Sequence, residues 1–76
     1  MPKLPTATGQ DLIRALVRAG FVRRRQAGSH VVLKHPERRL TVSVPAHAGR
    51  PLSRGLLHDL IKQAGLTTDE FAQLLK

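Results

Sequence analysis

The sequence predicts an α+β fold: one helix, three antiparallel strands, a second helix and a short third one. Three observations predict it. Apolar residues recur at helical spacing towards both ends of the chain, but alternate along its middle. The connections between the middle segments are only a few residues long, which pairs neighbouring strands antiparallel. The chain also has only 76 residues. That suits one small domain, residues 1–76, with helices laid on a sheet, and excludes a three-layer enzyme with a deep pocket.

The first helix is expected from Thr8 to Ala19, with Leu12, Ile13, Leu16 and Val17 at helical spacing and Ala15 and Ala19 filling in. Thr8 is its N-cap, with Asp11 placed to complete a capping box, and Gly20 ends it. The first strand is expected over Phe21 to Gln26, broken by Ala27-Gly28, and the second over His30 to His35. Pro36 interrupts the second strand and Glu37-Arg38-Arg39 makes the turn. The third, Leu40 to Val44, sets Leu40, Val42 and Val44 against Thr41 and Ser43. Parity then puts Val31 and Leu33 on the core side, and His30, Val32 and Lys34 on an open face with Thr41 and Ser43. A bulge at Gly28 would re-aim His30.

After the loop Ala46-His47-Ala48-Gly49-Arg50-Pro51, Ser53 caps a helix running to about Ala64, with Leu56, Leu57, Leu60, Ile61 and Ala64 as its stripe. Gly65 stops it. The last helix starts near Thr67 or Thr68, with Thr67 and Glu70 at capping-box spacing and Phe71, Leu74 and Leu75 facing inward.

Thirteen Lys and Arg stand against five Asp and Glu, a net charge of +8. The excess is concentrated. Between Phe21 and Arg54 lie Arg23, Arg24, Arg25, Lys34, Arg38, Arg39, Arg50 and Arg54, opposed only by Glu37. Such a block attracts polyanions, and the planar guanidinium fork suits phosphate. Charge alone leaves three partners open: nucleic acid, an acidic protein, or solvent. There is no cysteine, hence no disulfide framework or thiolate zinc site. The start Met1-Pro2-Lys3-Leu4-Pro5 lacks an apolar secretory core, and no stretch reaches membrane-spanning length, so a cytoplasmic protein is expected.

Four histidines could do chemistry: His30, His35, His47 and His58. A metal site is not expected, because His30 and His35 are five apart on a strand and point to opposite faces. His58 reads as a boundary residue of its helix. Ribonuclease chemistry needs neither metal nor protein nucleophile, since RNA supplies its own ribose 2′-hydroxyl. It needs a base, for which imidazole is suited, and cations for the charge developing on phosphorus. His30 meets the first need. Arg23, Arg24, Arg25 and Lys34 are candidate phosphate contacts, with Arg50 and Arg54 further along. Gly28 lets the backbone approach a phosphate, and Ser29 offers a hydroxyl and an N–H. Lys34, His47 or water is the candidate proton donor. From composition alone, a lone histidine at a strand start is more often structural or solvated than catalytic. No Asp is placed to orient a Ser–His pair, and no paired carboxylates suit glycosidase work. The only aromatics, Phe21 and Phe71, read as core, so no base-stacking platform is expected.

The ordered runs Thr8-Gly9, Ala19-Gly20-Phe21, Gly28-Ser29-His30-Val31-Val32, Val44-Pro45-Ala46-His47, Leu52-Ser53-Arg54-Gly55-Leu56-Leu57 and Ile61-Lys62-Gln63-Ala64-Gly65-Leu66 resemble the HicA toxin family. The resemblance spans about Thr6 to Leu75. It implies a fold like that of double-stranded RNA-binding domains, helix–three strands–helix. It implies an mRNA interferase, the toxin of a type II toxin–antitoxin system, which cleaves RNA without a metal or other cofactor and halts translation. It also implies that His30 is catalytic and that a HicB-type antitoxin binds and blocks the chain. One departure stands out: the family commonly has Gly-Thr-Leu where this chain has Gly55-Leu56-Leu57. The rival expectation is a non-catalytic double-stranded RNA-binding or adaptor module using the same basic face.

Overall fold

The structure is a computed structural model and describes residues 4–46 and 49–76. Its elements run α1 (Gly9–Arg18), β1 (Val22–Ala27), β2 (His30–Lys34), β3 (Thr41–Pro45), α2 (Arg54–Gln63) and α3 (Thr68–Leu74). The α+β class and the element order are those the sequence predicts.

Local chemistry explains the helix ends. At α1 the Thr8 hydroxyl accepts from the Asp11 N–H, while Asp11 Oδ2 accepts from the Thr8 N–H at 3.0 Å. Thr67 and Glu70 repeat this reciprocal box at α3. Ser53 Oγ accepts from the Leu56 N–H to start α2. Each cap satisfies helix N–H groups that have no carbonyl one turn earlier.

The sheet order is β1-β2-β3, all antiparallel. α1 packs across the sheet and α2 against β3, while α3 lies on the two longer helices. One face of the sheet is therefore covered and the other is open. Leu12, Leu16, Val31, Leu33, Val42, Val44, Leu57, Ile61 and Phe71 fill the space between sheet and helices. Phe21 joins them.

Three departures from the expected boundaries have physical causes. Val17 is half-exposed, because it falls one position past the edge of the buried stripe made by Leu12, Ile13, Ala15 and Leu16. The third strand starts at Thr41 rather than Leu40. Leu40 instead closes the hairpin, its carbonyl accepting the His35 N–H at 2.8 Å, and it packs on the core from there. The irregularity in the first hairpin is not at Gly28. Arg23 pairs with Leu33 and Arg25 with Val32, so the extra residue, and the bulge, is Arg24.

Candidate functional site

β1 and β2 are joined by the two-residue turn Gly28-Ser29, flanked by the Ala27–His30 pair. Gly28 has φ +59, and Ser29 is not in the positive-φ region. That combination is what a type II′ turn requires, and its first position favours glycine. A side chain at Gly28 would meet no neighbouring atom, so backbone conformation alone selects the residue here. The ladder continues past His30: the Ala46 N–H donates to the Ser29 carbonyl at 2.6 Å, tying the turn to the end of β3.

Residues paired across a sheet share a face, so the register fixes what surrounds His30. Three rows cross the open face. Ala27, His30 and Pro45 form the first, Arg25, Val32 and Ser43 the second, and Val22, Lys34 and Thr41 the third. His30, Arg25, Lys34, Ser43 and Thr41 are exposed, and Val32 is half-buried. Strand parity thus places His30, Val32, Lys34, Thr41 and Ser43 where the sequence expects them.

The bulge adds what parity alone does not give. Regular alternation would place Arg24 and Arg25 on opposite faces. The extra residue instead turns Arg25 onto the open face beside Val32. Arg24 lines a shallow hollow of about 230 Å³ with Val22, Lys34 and Pro36, on the same side. Arg23 and Gln26, three apart, are left on the opposite side, where the Arg23 guanidinium donates to Gln26 Oε1 at 3.3 Å. Gln26 in turn donates to the Gly28 carbonyl. Nothing in the residue type or spacing of Gln26 marks it as a prop for the turn.

Arg50 lines a second hollow of about 290 Å³ with Pro45, Pro51, Leu52, Ser53 and Leu56, at the His30 end of β3. Arg54 is the exposed first residue of α2. Leu56 is exposed in that hollow, and Leu57 takes the core position beside it. His47, one candidate proton donor, lies outside the described residues.

The other histidines are placed differently. His35 Nδ1 accepts the backbone N–H groups of Glu37 and Arg38, at 3.2 and 3.1 Å, and so carries its proton on Nε2. Its ring meets Phe21 edge-on, with centroids 5.2 Å apart. It props the β2–β3 loop. His58 is exposed on α2.

Electrostatically the open face is one-signed. All five acids lie in helices or in the β2–β3 loop. The only ion pair among the described residues, Arg14 with Asp11, is on α1. Arg24, Arg25 and Lys34 therefore have no carboxylate partner and are available to an anion from solution. Among the described residues no three of His, Cys, Asp or Glu come together, and no helix is long and apolar enough to cross a membrane.

The family model described as the HicA toxin of bacterial toxin–antitoxin systems matches residues 9–66. The chain belongs to the HicA toxin family. Membership supports a toxin role and agrees with the sequence resemblance. The match runs from the first residue of α1, through all three strands and α2, to Leu66, so it includes the whole open face and the Gly28-Ser29-His30 turn. No curated protein matches the chain.

Proposed function

We propose that this HicA-family chain is a metal-independent endoribonuclease, an mRNA interferase that inhibits translation, with His30 as its general base. The observation that carries the reading is the position of His30: solvent-facing, on the open side of the sheet, with Arg25, Arg24 and Lys34 on that same side. His30 takes the proton from a ribose 2′-hydroxyl. The oxygen attacks the adjacent phosphorus, the bond to the 5′-oxygen breaks, and a 2′,3′-cyclic phosphate forms. Arg25, one row from His30, is the nearest of these cations to the extra charge on the phosphoryl oxygens as it develops. A proton delivered to the departing 5′-oxygen, from His47 or water, completes the step; Lys34, the other candidate from the sequence, stands two rows along β2 from His30.

The absence of a carboxylate on this face supports the same reading. It leaves no acid to hold His30 as an ion pair and none to repel phosphate. A HicB-type antitoxin, in this reading, is an acidic partner that covers the open face and withholds His30 from RNA in the cytoplasm.

The test uses single-stranded RNA with EDTA present. Cleavage should persist in EDTA, leave 2′,3′-cyclic phosphate ends, and stop when the nucleotide 5′ of the cut carries a 2′-deoxyribose. Cleavage of that deoxy substrate at the same position would overturn the 2′-hydroxyl mechanism. Tight binding without cleavage would return the chain to the adaptor reading.

A further inference from the structure

We infer that the open face is a phosphate track: single-stranded RNA lies along β2 with its cleaved phosphate at His30, the next phosphate at Arg25, and the one after at Lys34 and Arg24. The inference rests on the reading of His30 as the cleaving residue and extends it to how substrate is held. The three rows of the open face succeed one another by two residues of β2. At strand rise that step is about 6.8 Å, a distance one sugar–phosphate repeat can span. Each row contributes cationic or imidazole chemistry on one side: His30 in the first, Arg25 in the second, and Lys34 in the third with Arg24 in the hollow beside it.

The bulge puts both arginines on the open face. Without it Arg24 would stand opposite Val32 and Arg25 would face the helices, leaving Lys34 alone in the third row. With it, each row holds a group for one phosphate. The face between those groups is Val22, Ala27 and Val32, with the small hydroxyls of Thr41 and Ser43. Both phenylalanine rings of the chain, Phe21 and Phe71, are buried, and there is no Tyr or Trp. Among the residues of the three rows the one aromatic ring is that of His30, assigned to the cleaved phosphate, so the track holds the backbone and leaves the bases free. A single strand suits the chemistry as well, because attack by the 2′-oxygen must come in line with the departing 5′-oxygen. A stacked duplex resists that rotation.

The test is a short RNA with one mapped cleavage position. In a series of substrates, one flanking phosphate at a time becomes a neutral methylphosphonate on a 2′-deoxyribose, compared with the same deoxyribose bearing an ordinary phosphate. On one flank, neutralising the first or the second phosphate should each slow the wild type about tenfold or more, the scale of a charge-assisted contact. Arg25→Ala should become indifferent to the first replacement and stay sensitive to the second. Lys34→Ala should show the reverse. Arg14→Ala, which removes the same charge from α1, should keep both sensitivities. Sensitivities that Arg25→Ala and Lys34→Ala leave unchanged, or that they exchange, would overturn the track. The affinity of His30→Ala protein for the same oligonucleotides gives a second readout. If the wild type cuts nothing while affinities follow the pattern, the cleavage reading falls and the track stands. If the wild type cuts and neither readout follows the pattern, the track alone falls.

Discussion

Gly9 lies so close beneath Pro45 that a methyl group on it would overlap the Pro45 carbonyl oxygen and come within 2.9 Å of Ala46 Cα. The first residue of α1 is thereby pressed against the strand end that pairs with His30. Gly9→Ala should force the two apart and cost about 1–3 kcal/mol, the scale of overpacking in a close-packed interior. Better helix propensity returns at most about 1 kcal/mol. Thermal unfolding should show a lower midpoint, and RNA cleavage should weaken at temperatures where the variant is still folded. A midpoint equal to the wild type's would show that α1 and β3 can separate freely.

Asp11 ties the other side of the same helix start to pH. The Thr8 backbone N–H holds its carboxyl below the ordinary value of 3.8, helped by the Thr8 hydroxyl and by Arg14 and opposed by partial desolvation. A carboxyl with a lowered folded-state value contributes stability that is fully present above its unfolded value and is lost as pH falls through the folded one. The stability gap between wild type and Asp11→Asn in urea should thus be constant from pH 7 to 5 and shrink below about pH 4. A gap that persists undiminished at pH 2 would mean the charge on Asp11 is not what stabilises the cap. Thr8→Ala should cost about 1 kcal/mol at pH 7.

His35 and His30 should separate stability from activity. His35→Ala removes the acceptor of two loop N–H groups and the edge contact with Phe21. It should lower stability by about 1–2 kcal/mol while the folded protein still cleaves RNA. Loss of cleavage in His35→Ala that is well folded by circular dichroism would place His35 in the chemistry.

Salt dependence reports the phosphate contacts directly. For single strands the logarithm of affinity falls against the logarithm of salt by about 0.7 per neutralised phosphate. Binding of RNA to His30→Ala protein should lose about that much slope when Arg25 or Lys34 is also replaced by Ala. An unchanged slope would remove that residue from the interface. The same positive face should make antitoxin association fast at low salt and slower at high salt. A rate constant indifferent to salt would count against electrostatic masking.

Much of this was legible in the sequence because single residues decide it. Thr8 with Asp11, Ser53, and Thr67 with Glu70 announce helix starts, since few other residues can satisfy the free N–H groups there. Val31, Leu33, Val42 and Val44 fix the parity of two strands, because a one-residue slip would expose all of them. β1 carries no such constraint. Its six residues are all exposed, so Arg23-Arg24-Arg25 has no buried side to set which arginine faces which way, and no residue type marks the bulge at Arg24. The loop-propping role of His35 was likewise hidden, because it depends on backbone N–H groups that any residues at Glu37 and Arg38 would supply. The tight approach of Gly9 to Pro45 joins positions 36 residues apart in sequence, which local spacing does not reveal.

The central claim is that His30 performs the chemistry rather than supporting the fold. Its most direct test is the single-turnover rate of RNA cleavage in EDTA by wild type and His30→Ala, with unfolding midpoints measured on the same preparations. Exposed at the sheet surface, His30 should leave the midpoint unchanged when replaced, while cleavage falls by about 100-fold or more, the range of a lost general base. Equal cleavage by the two proteins would contradict the account.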